Sequence, residues 1–214
     1  MVNQKSTFWQ AFLVAGIIFW IGLLLGISFE SWRADKMAQS YSEAEILLLD
    51  SIAQTNFVSS NDTDCSIAAN SLETFADDVY KKASNLEVYD SNSRLSEEKL
   101  KPLHKKYDLL RTILFWNSER LSERCNLSFN RVVYLYNYKY SSAEESANNV
   151  VWSKSLETIK ERKGSAVILI PIAVDMDISS VDLMLEKYGV KKFPAVIVDK
   201  NVFYDIDKLN SYFS

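Results

Sequence analysis

The hydrophobic pattern begins with an uncharged apolar run from Phe8 to Phe29. As a helix, this run is long enough to cross a hydrocarbon core of about 30 Å. Trp9 and Trp32 bracket it, as aromatic residues do at membrane interfaces. We therefore predict a transmembrane helix at residues 8–29. A cleaved signal peptide is the alternative, but its apolar core spans only about 7–15 residues, and the residues after Phe29 form a poor cleavage site.

Residues 30–128 show the spacing of amphipathic helices, with apolar residues three and four positions apart. The pattern predicts one helix that continues from the anchor to about Ser59, a second that follows the cap candidates Asn61–Asp64, and a third that ends near Asn126. The predicted buried faces are Ala68, Leu72, Phe75, Val79, Ala83 and Leu86 on the second helix, and Leu103, Tyr107, Leu110, Leu114 and Leu121 on the third. Three such helices joined by short polar turns predict a small bundle.

Cys65 and Cys125 are the only cysteines, and they lie at the start of the second predicted helix and the end of the third. If these helices are antiparallel, both thiols fall at the same end, and we predict a disulfide. Two buried free cysteines are the alternative. A structural disulfide needs an oxidising compartment, which would place the soluble part outside the cytoplasm. Asn61 and Asn126 begin N-glycosylation motifs, but a motif this short leaves their use open.

At residue 129 the pattern changes to short apolar strands that alternate with helices. Strands are predicted at residues 132–138, 166–174, 193–198 and 202–205, and helices at 147–162, 180–188 and 206–213. The first β-α-β unit predicts a parallel pair, and the turn Asp199–Asn201 predicts an antiparallel hairpin. We therefore predict an α/β fold in which residues 129–214 form a βαβαββα domain with a central mixed sheet.

Three motifs of this domain resemble the second half of a thioredoxin-like protein. They are Val174-Asp175 at a strand end, Tyr188-Gly189-Val190 at a helix end, and Pro194 before the hairpin. The resemblance covers about residues 131–214. It implies a thioredoxin-like fold in which a cis peptide bond precedes Pro194. A trans proline at the start of a strand is the alternative.

The Cys-x-x-Cys of that family is missing, because Lys139 to Ser146 occupy its place and no cysteine follows Cys125. A hydroxyl group cannot supply the thiolate that thiol–disulfide exchange needs, so the resemblance implies a redox-inactive domain. A hydrolytic serine would need a base such as histidine. The single histidine, His104, lies among lysines of the third predicted helix, where we expect a solvated surface. We therefore predict no enzymatic activity and no catalytic residues.

The resemblance still implies a peptide-binding groove, since the backbone beside the cis-proline pairs with an extended peptide in that family. The corresponding residues here are Tyr140, Ser141, Ser142, Phe193 and Pro194. We expect a single-pass membrane protein that binds a protein or peptide partner at the surface of the lipid bilayer. Two alternatives remain open: an accessory thiol–disulfide or chaperone component that uses Cys65 and Cys125, and a structural subunit of a membrane complex.

Composition removes several other classes of function. The chain has 24 Lys and Arg against 28 Asp and Glu, so it lacks the basic excess that non-specific nucleic-acid binding requires. A single histidine rules out a multi-histidine metal site. The sequence contains no Gly-rich phosphate loop and no paired metal-ligand motif. We therefore expect no cofactor, no metal and no nucleic-acid partner.

Overall fold

The computed structural model describes residues 4–58, 64–92, 97–125, 127 and 129–214. The chain forms two compact units, Met1–Glu43 and Ala44–Ser214. Helix α1 is assigned to Gln4–Val58. Among the described residues it is the one helix long and apolar enough to cross a membrane, with a mean hydropathy of 2.5 in its most apolar window, none of which is buried. A signal sequence near an N-terminus passes the same test of length and composition.

Helices α2 (Cys65–Asn92) and α3 (Glu97–Cys125) pack together and are joined by a disulfide between Cys65 and Cys125. The two cysteine Cα atoms are 5.6 Å apart, and the helices run antiparallel. The predicted disulfide is thus confirmed. Asp64 caps α2, because its carboxylate accepts a hydrogen bond from the backbone N–H of Ser66 over 2.7 Å. The other cap candidates, residues 61–63, and the glycosylation motif at Asn126 lie outside the described residues.

The predicted apolar faces of α2 and α3 are buried, because each follows the 3.6-residue helical repeat. They comprise Ala68, Leu72, Phe75, Val79 and Ala83 on α2, and Leu103, Tyr107, Leu110, Leu114 and Leu121 on α3. The side chain of Leu86 lies outside the described part of the chain. Polar contacts join the last turns of α1 to this pair. Asn117 donates to the hydroxyl oxygen of Thr55 over 2.8 Å, and the hydroxyl of Ser71 donates to Gln54 over 3.1 Å.

The rest of the chain alternates strands and helices in the predicted βαβαββα order. The elements are β1 (Asn130–Tyr136), α4 (Ala143–Lys163), β2 (Val167–Ala173), α5 (Ser179–Tyr188), β3 (Ala195–Val198), β4 (Asn201–Phe203) and α6 (Ile206–Tyr212), with a 3-10 turn at Gly164–Ala166 before β2. They form a mixed four-stranded sheet of order β2-β1-β3-β4. The predicted parallel β1–β2 pair and antiparallel β3–β4 hairpin are confirmed, and β1 also pairs antiparallel with β3.

Most element boundaries differ from the prediction by one to four residues, and two of the differences have a clear local cause. Helix α4 begins at Ala143 rather than at residue 147, because the Ser142 hydroxyl accepts a hydrogen bond from the Glu145 backbone N–H and caps the helix. The hairpin turn is one residue shorter than predicted, because Asn201 already pairs with Val198.

The sheet has an apolar core on each face, and α3 forms much of one of them. On the first face, β1 packs with α4 and α6 in a cluster of Val132, Tyr134, Trp152, Leu156, Ile159, Val167, Val196, Val198, Leu209 and Phe213. Helix α3 instead contacts β1, β2 and α5, and its Phe115 is 0% exposed. Glu119 on α3 accepts hydrogen bonds of 2.7 Å from both the ammonium group of Lys187 and the hydroxyl of Tyr188 on α5. The helical region and the sheet therefore belong to the same compact unit, Ala44–Ser214, and the change of pattern at residue 129 lies inside that unit.

Because α3 belongs to the core of the sheet, we expect the fragment 44–214 to fold and the fragment 129–214 to fail. Without α3, the shorter fragment exposes the apolar surface that Phe115 covers, so it should aggregate or stay unfolded. Near-ultraviolet circular dichroism during heating measures whether each fragment is folded, and size-exclusion chromatography measures whether it is monomeric. A monomeric fragment 129–214 with the same unfolding midpoint as 44–214 would contradict the expectation.

Candidate functional site

The candidate site lies where β1 and β2 end and β3 begins. Because β1 and β2 are parallel and in register from end to end, their carboxyl ends lie side by side. Leu135 near the end of β1 pairs with Ala195 at the start of β3, so Pro194 comes opposite Tyr136. The peptide bond between Phe193 and Pro194 is cis, as predicted. Phe193 and Pro194 therefore lie beside the connection from β1 to α4, residues 137–142, which we call the β1–α4 loop.

Asp175, the second residue after the neighbouring strand β2, holds the β1–α4 loop in place. One carboxylate oxygen of Asp175 accepts from the backbone N–H of Tyr138 over 2.7 Å, and the other accepts from that of Lys139 over 2.9 Å. An ionised carboxylate makes strong hydrogen bonds to backbone N–H groups. The aspartate of the Val-Asp motif thus anchors the loop that carries Tyr140, Ser141 and Ser142.

A second carboxylate, that of Glu145, fixes the end of the loop. It accepts from the backbone N–H and the hydroxyl of Ser141, at 2.8 Å and 2.6 Å, and from the side-chain amide of Asn137 at 2.7 Å. Together with the Ser142 cap, this arrangement is a variant of the capping box in which the glutamate reaches one residue further back. These hydrogen bonds, that of Ser141 first, lower the pKa of Glu145. A lowered pKa makes this carboxylate a weaker base than an ordinary glutamate.

The five predicted groove residues lie on two neighbouring segments at one end of the sheet. Tyr140, Ser141 and Ser142 are exposed, with Tyr140 at 47%, whereas Phe193 and Pro194 are half-buried. Burial, reinforced by the nearby carboxylates of Glu145 and Asp175, raises the pKa of the Tyr140 hydroxyl. The Tyr140 ring is therefore a neutral, partly exposed aromatic surface on the β1–α4 loop.

The expectation that His104 lies on a solvated helix surface is wrong. Its ring centroid is 4.7 Å from that of Tyr138 on the β1–α4 loop, because the first half of α3 packs across the strand ends. The next residue, Lys105, donates to the backbone carbonyl of Asp177 over 2.7 Å, and Lys101 lies 3.9 Å from the carboxylate of Asp177. Helix α3 therefore contacts both the β1–α4 loop and the connection that follows β2.

Asp108 is a buried carboxylate that the sequence analysis missed. It is 2% exposed, lies 3.2 Å from the guanidinium of Arg111, and accepts a hydrogen bond from the backbone N–H of Ala173 at the end of β2. Burial raises its pKa to about 6, although Arg111 and the Ala173 hydrogen bond oppose that shift. Asp108 thereby attaches the end of β2 to α3. No pattern in the sequence marks it, because an aspartate on an amphipathic helix usually faces solvent.

The outer edge of β2 is obstructed against the addition of another strand. The residue after Ala173 donates its N–H to β1, so the Ala173 N–H faces outward, where Asp108 accepts it. Pro171, two residues earlier on the same edge, has no N–H. Lys160 donates to the outward carbonyl oxygen of Val167 over 2.6 Å. Such features protect edge strands from unintended pairing.

Within the described ranges, no group of three or more His, Cys, Asp or Glu side chains could hold a metal ion. Comparisons with protein-family models, with curated proteins and with solved structures each find no match for this chain. The candidate site is therefore interpreted from its own geometry.

We expect Asp108 to make stability depend on pH. Its pKa rises from 3.8 to about 6 on folding, so the folded state binds a proton more tightly, and the free energy of unfolding falls as pH increases between those values. In the wild type this decrease in the free energy of unfolding should be on the order of 1–3 kcal/mol, and Asp108→Asn should abolish it. Urea unfolding across this pH range measures it, with Asp182→Asn on the exposed surface of α5 as control. The same pH slope in Asp108→Asn and the wild type would refute the assignment.

Proposed function

We propose that this chain is a membrane-tethered, redox-inactive thioredoxin-like protein that binds an extended protein or peptide segment at the membrane surface. The observation that carries the proposal is the strand register that brings Pro194 opposite Tyr136, next to the β1–α4 loop. The βαβαββα order and the mixed sheet support the resemblance in fold. The position of Pro194 between α5 and β3 supports the resemblance of the candidate groove to the peptide-binding groove of thioredoxin-like proteins.

Strand addition is the binding mode that this geometry favours. Phe193 precedes β3, so its backbone groups lie beyond the last residue pair of the β1–β3 ladder. An extended segment can form main-chain hydrogen bonds there, while side chains at alternate positions contact neighbouring surfaces. The rings of Tyr140 and Phe193 supply such surfaces. The outer edge of β2 is a poorer site for an added strand, because its Pro171 lacks an N–H group and flanking backbone groups are already hydrogen-bonded.

The chemistry of the β1–α4 loop supports a binding role over a catalytic one. Hydroxyl groups stand where the resembling family has its redox cysteines, and thiol–disulfide exchange requires a thiolate. The Ser142 hydroxyl caps α4, and the Ser141 hydroxyl donates to Glu145. Both serines therefore stabilise the start of the helix in a fixed conformation. A preformed loop lowers the ordering cost of binding an extended partner.

The membrane tether and its orientation rest on two further features. The apolar, unburied part of α1 that lies within the first unit supports a single transmembrane span. The disulfide between Cys65 and Cys125 supports an oxidising compartment for the second unit, which is the extracytoplasmic side of the membrane. A soluble unit held there would meet its partner close to the bilayer surface.

We expect the double variant Tyr140→Ala/Phe193→Ala to lose the partner, because it removes both aromatic contacts of the groove and leaves the core intact. Affinity purification of the full chain from detergent-solubilised membranes, quantified by mass spectrometry, should show a loss of at least about tenfold, as for hot-spot residues. Tyr204→Ala/Tyr212→Ala is the matched control, because these tyrosines are 47% and 46% exposed elsewhere on the domain. Partners retained equally by both variants would rule out the groove as the binding site.

We expect the cysteines to react with a membrane-impermeant maleimide on intact cells only after reduction. In the oxidised state they form the disulfide, and after reduction an extracytoplasmic unit presents both thiols to the reagent. Cys65→Ala/Cys125→Ala should not react under either condition. Labelling that requires permeabilised cells would place the second unit in the cytoplasm.

A further inference from the structure

We propose that the segment bound at the groove is acidic, and that Lys191 and Lys192 select it. Both lysines are exposed and immediately precede Phe193. The inference rests on the proposed function, since it assigns a charge preference to the same groove. It concerns the chemistry of the partner, which neither the fold nor the cis-proline determines.

The carboxylates closest to the groove are already engaged within the protein. Both oxygens of Asp175 accept backbone N–H groups of the β1–α4 loop, and both oxygens of Glu145 accept from Ser141 and Asn137. Glu144 and Asp182 lie in the first turns of α4 and α5, where a carboxylate complements the positive end of the helix dipole. Each of these four carboxylates is thus stabilised by local N–H groups or by a helix dipole.

Lys191 and Lys192 differ from these carboxylates in that they have no internal counterpart. Among the residues that the structure describes, neither lysine takes part in an ion pair. Their ammonium groups are therefore available to a ligand. An extended segment that pairs beside Phe193 would bring its own side chains close to these two charges.

The lysines are also held in a defined place, because the connection that carries them is fixed on both sides. Gly189 ends α5 in the left-handed conformation, and the Val190 N–H donates to the Leu185 carbonyl over 2.9 Å. Val190 is buried at 6% exposure, and Ala195 on the other side is fully buried as the first residue of β3. Two positive charges thus occupy a short, anchored segment that leads directly into the groove.

The expected size of the effect is modest. An exposed ion pair contributes little in water, so two of them should give a preference on the order of tenfold for an acidic over a neutral segment. The preference should weaken at high salt, since exposed charges are screened. Rim charges of this kind act mainly on selectivity and association rate.

The test uses the full chain in nanodiscs of phosphatidylcholine and three fluorescein-labelled octapeptides. All share a central Val-Thr-Val-Thr segment, flanked on each side by two glutamates, two glutamines or two lysines. Fluorescence anisotropy measures the three affinities at low salt and at about 0.3 M salt. We expect the glutamate peptide to bind most tightly and the lysine peptide most weakly, with a smaller spread at high salt.

Lys191→Glu/Lys192→Glu should reverse this order. Lys163→Glu/Lys200→Glu, with the same change of charge at the end of α4 and in the β3–β4 turn, should keep it. Both pairs are exposed, and circular dichroism confirms that each variant is folded. An order that survives reversal of Lys191 and Lys192 would overturn the inference.

Three further outcomes separate this inference from the proposed function and from lipid binding. If the wild type binds all three peptides with equal affinity and Tyr140→Ala/Phe193→Ala weakens the binding of each, the groove is the binding site and the proposed charge selection is wrong. If the wild type binds none of them, the groove function fails, and the inference fails with it. Equal binding of the peptides together with their displacement by phosphatidylserine vesicles, and not by phosphatidylcholine vesicles, would assign the lysines to lipid headgroups and overturn the inference.

Discussion

The packing of α3 on the sheet is the contact on which the rest of this structure depends. A sheet with apolar side chains on both faces needs a covering layer on each. Helices α4 and α6 cover one face of this sheet, and α3 together with α5 contributes to the other. Helix α3 also packs against α2 and carries Cys125 at its end. The helical region and the sheet are therefore parts of one core, and the disulfide stabilises that shared core.

Polar groups extend the influence of α3 from the core to the candidate site. Asp108 on α3 bonds the backbone at the end of β2, and Asp175, two residues past that end, bonds the β1–α4 loop. Glu145 then joins the loop to the first turn of α4. Each carboxylate satisfies N–H groups that strand ends and helix starts leave without partners. A series of three carboxylates thus fixes the conformation of a loop that has no cysteines.

Much of this architecture follows from local patterns in the sequence. The spacing of Leu72, Phe75 and Val79 predicts the buried face of α2, because a helix repeats every 3.6 residues. The antiparallel pair and the disulfide follow from the positions of Cys65 and Cys125 relative to the turn between the helices. The order of strands and helices along the chain follows from the change of hydrophobic period, and the cis bond before Pro194 follows from the resemblance between motifs. All of these signals lie within short stretches of chain.

The second buried face of α3 could not be predicted in the same way. Asp108, Thr112 and Glu119 are polar, so a hydropathy pattern assigns them to solvent, yet all three are buried. Thr112 donates to the Asp108 carbonyl within α3, but Asp108 and Glu119 have partners on β2 and α5, which lie far along the chain and meet α3 only in the folded structure. His104 was misassigned for the same reason, since its neighbour Tyr138 belongs to the β1–α4 loop.

This arrangement limits how the candidate site can be interpreted. A groove at the end of the sheet would normally be treated as a property of the βαβαββα region alone. Here the conformation of its loop depends on Asp175, whose strand is attached to α3 through Asp108. The helical region therefore stabilises the conformation of the candidate groove, although it lies outside the βαβαββα region. Changes in α3, or in the disulfide at its end, would act on the groove through the shared core.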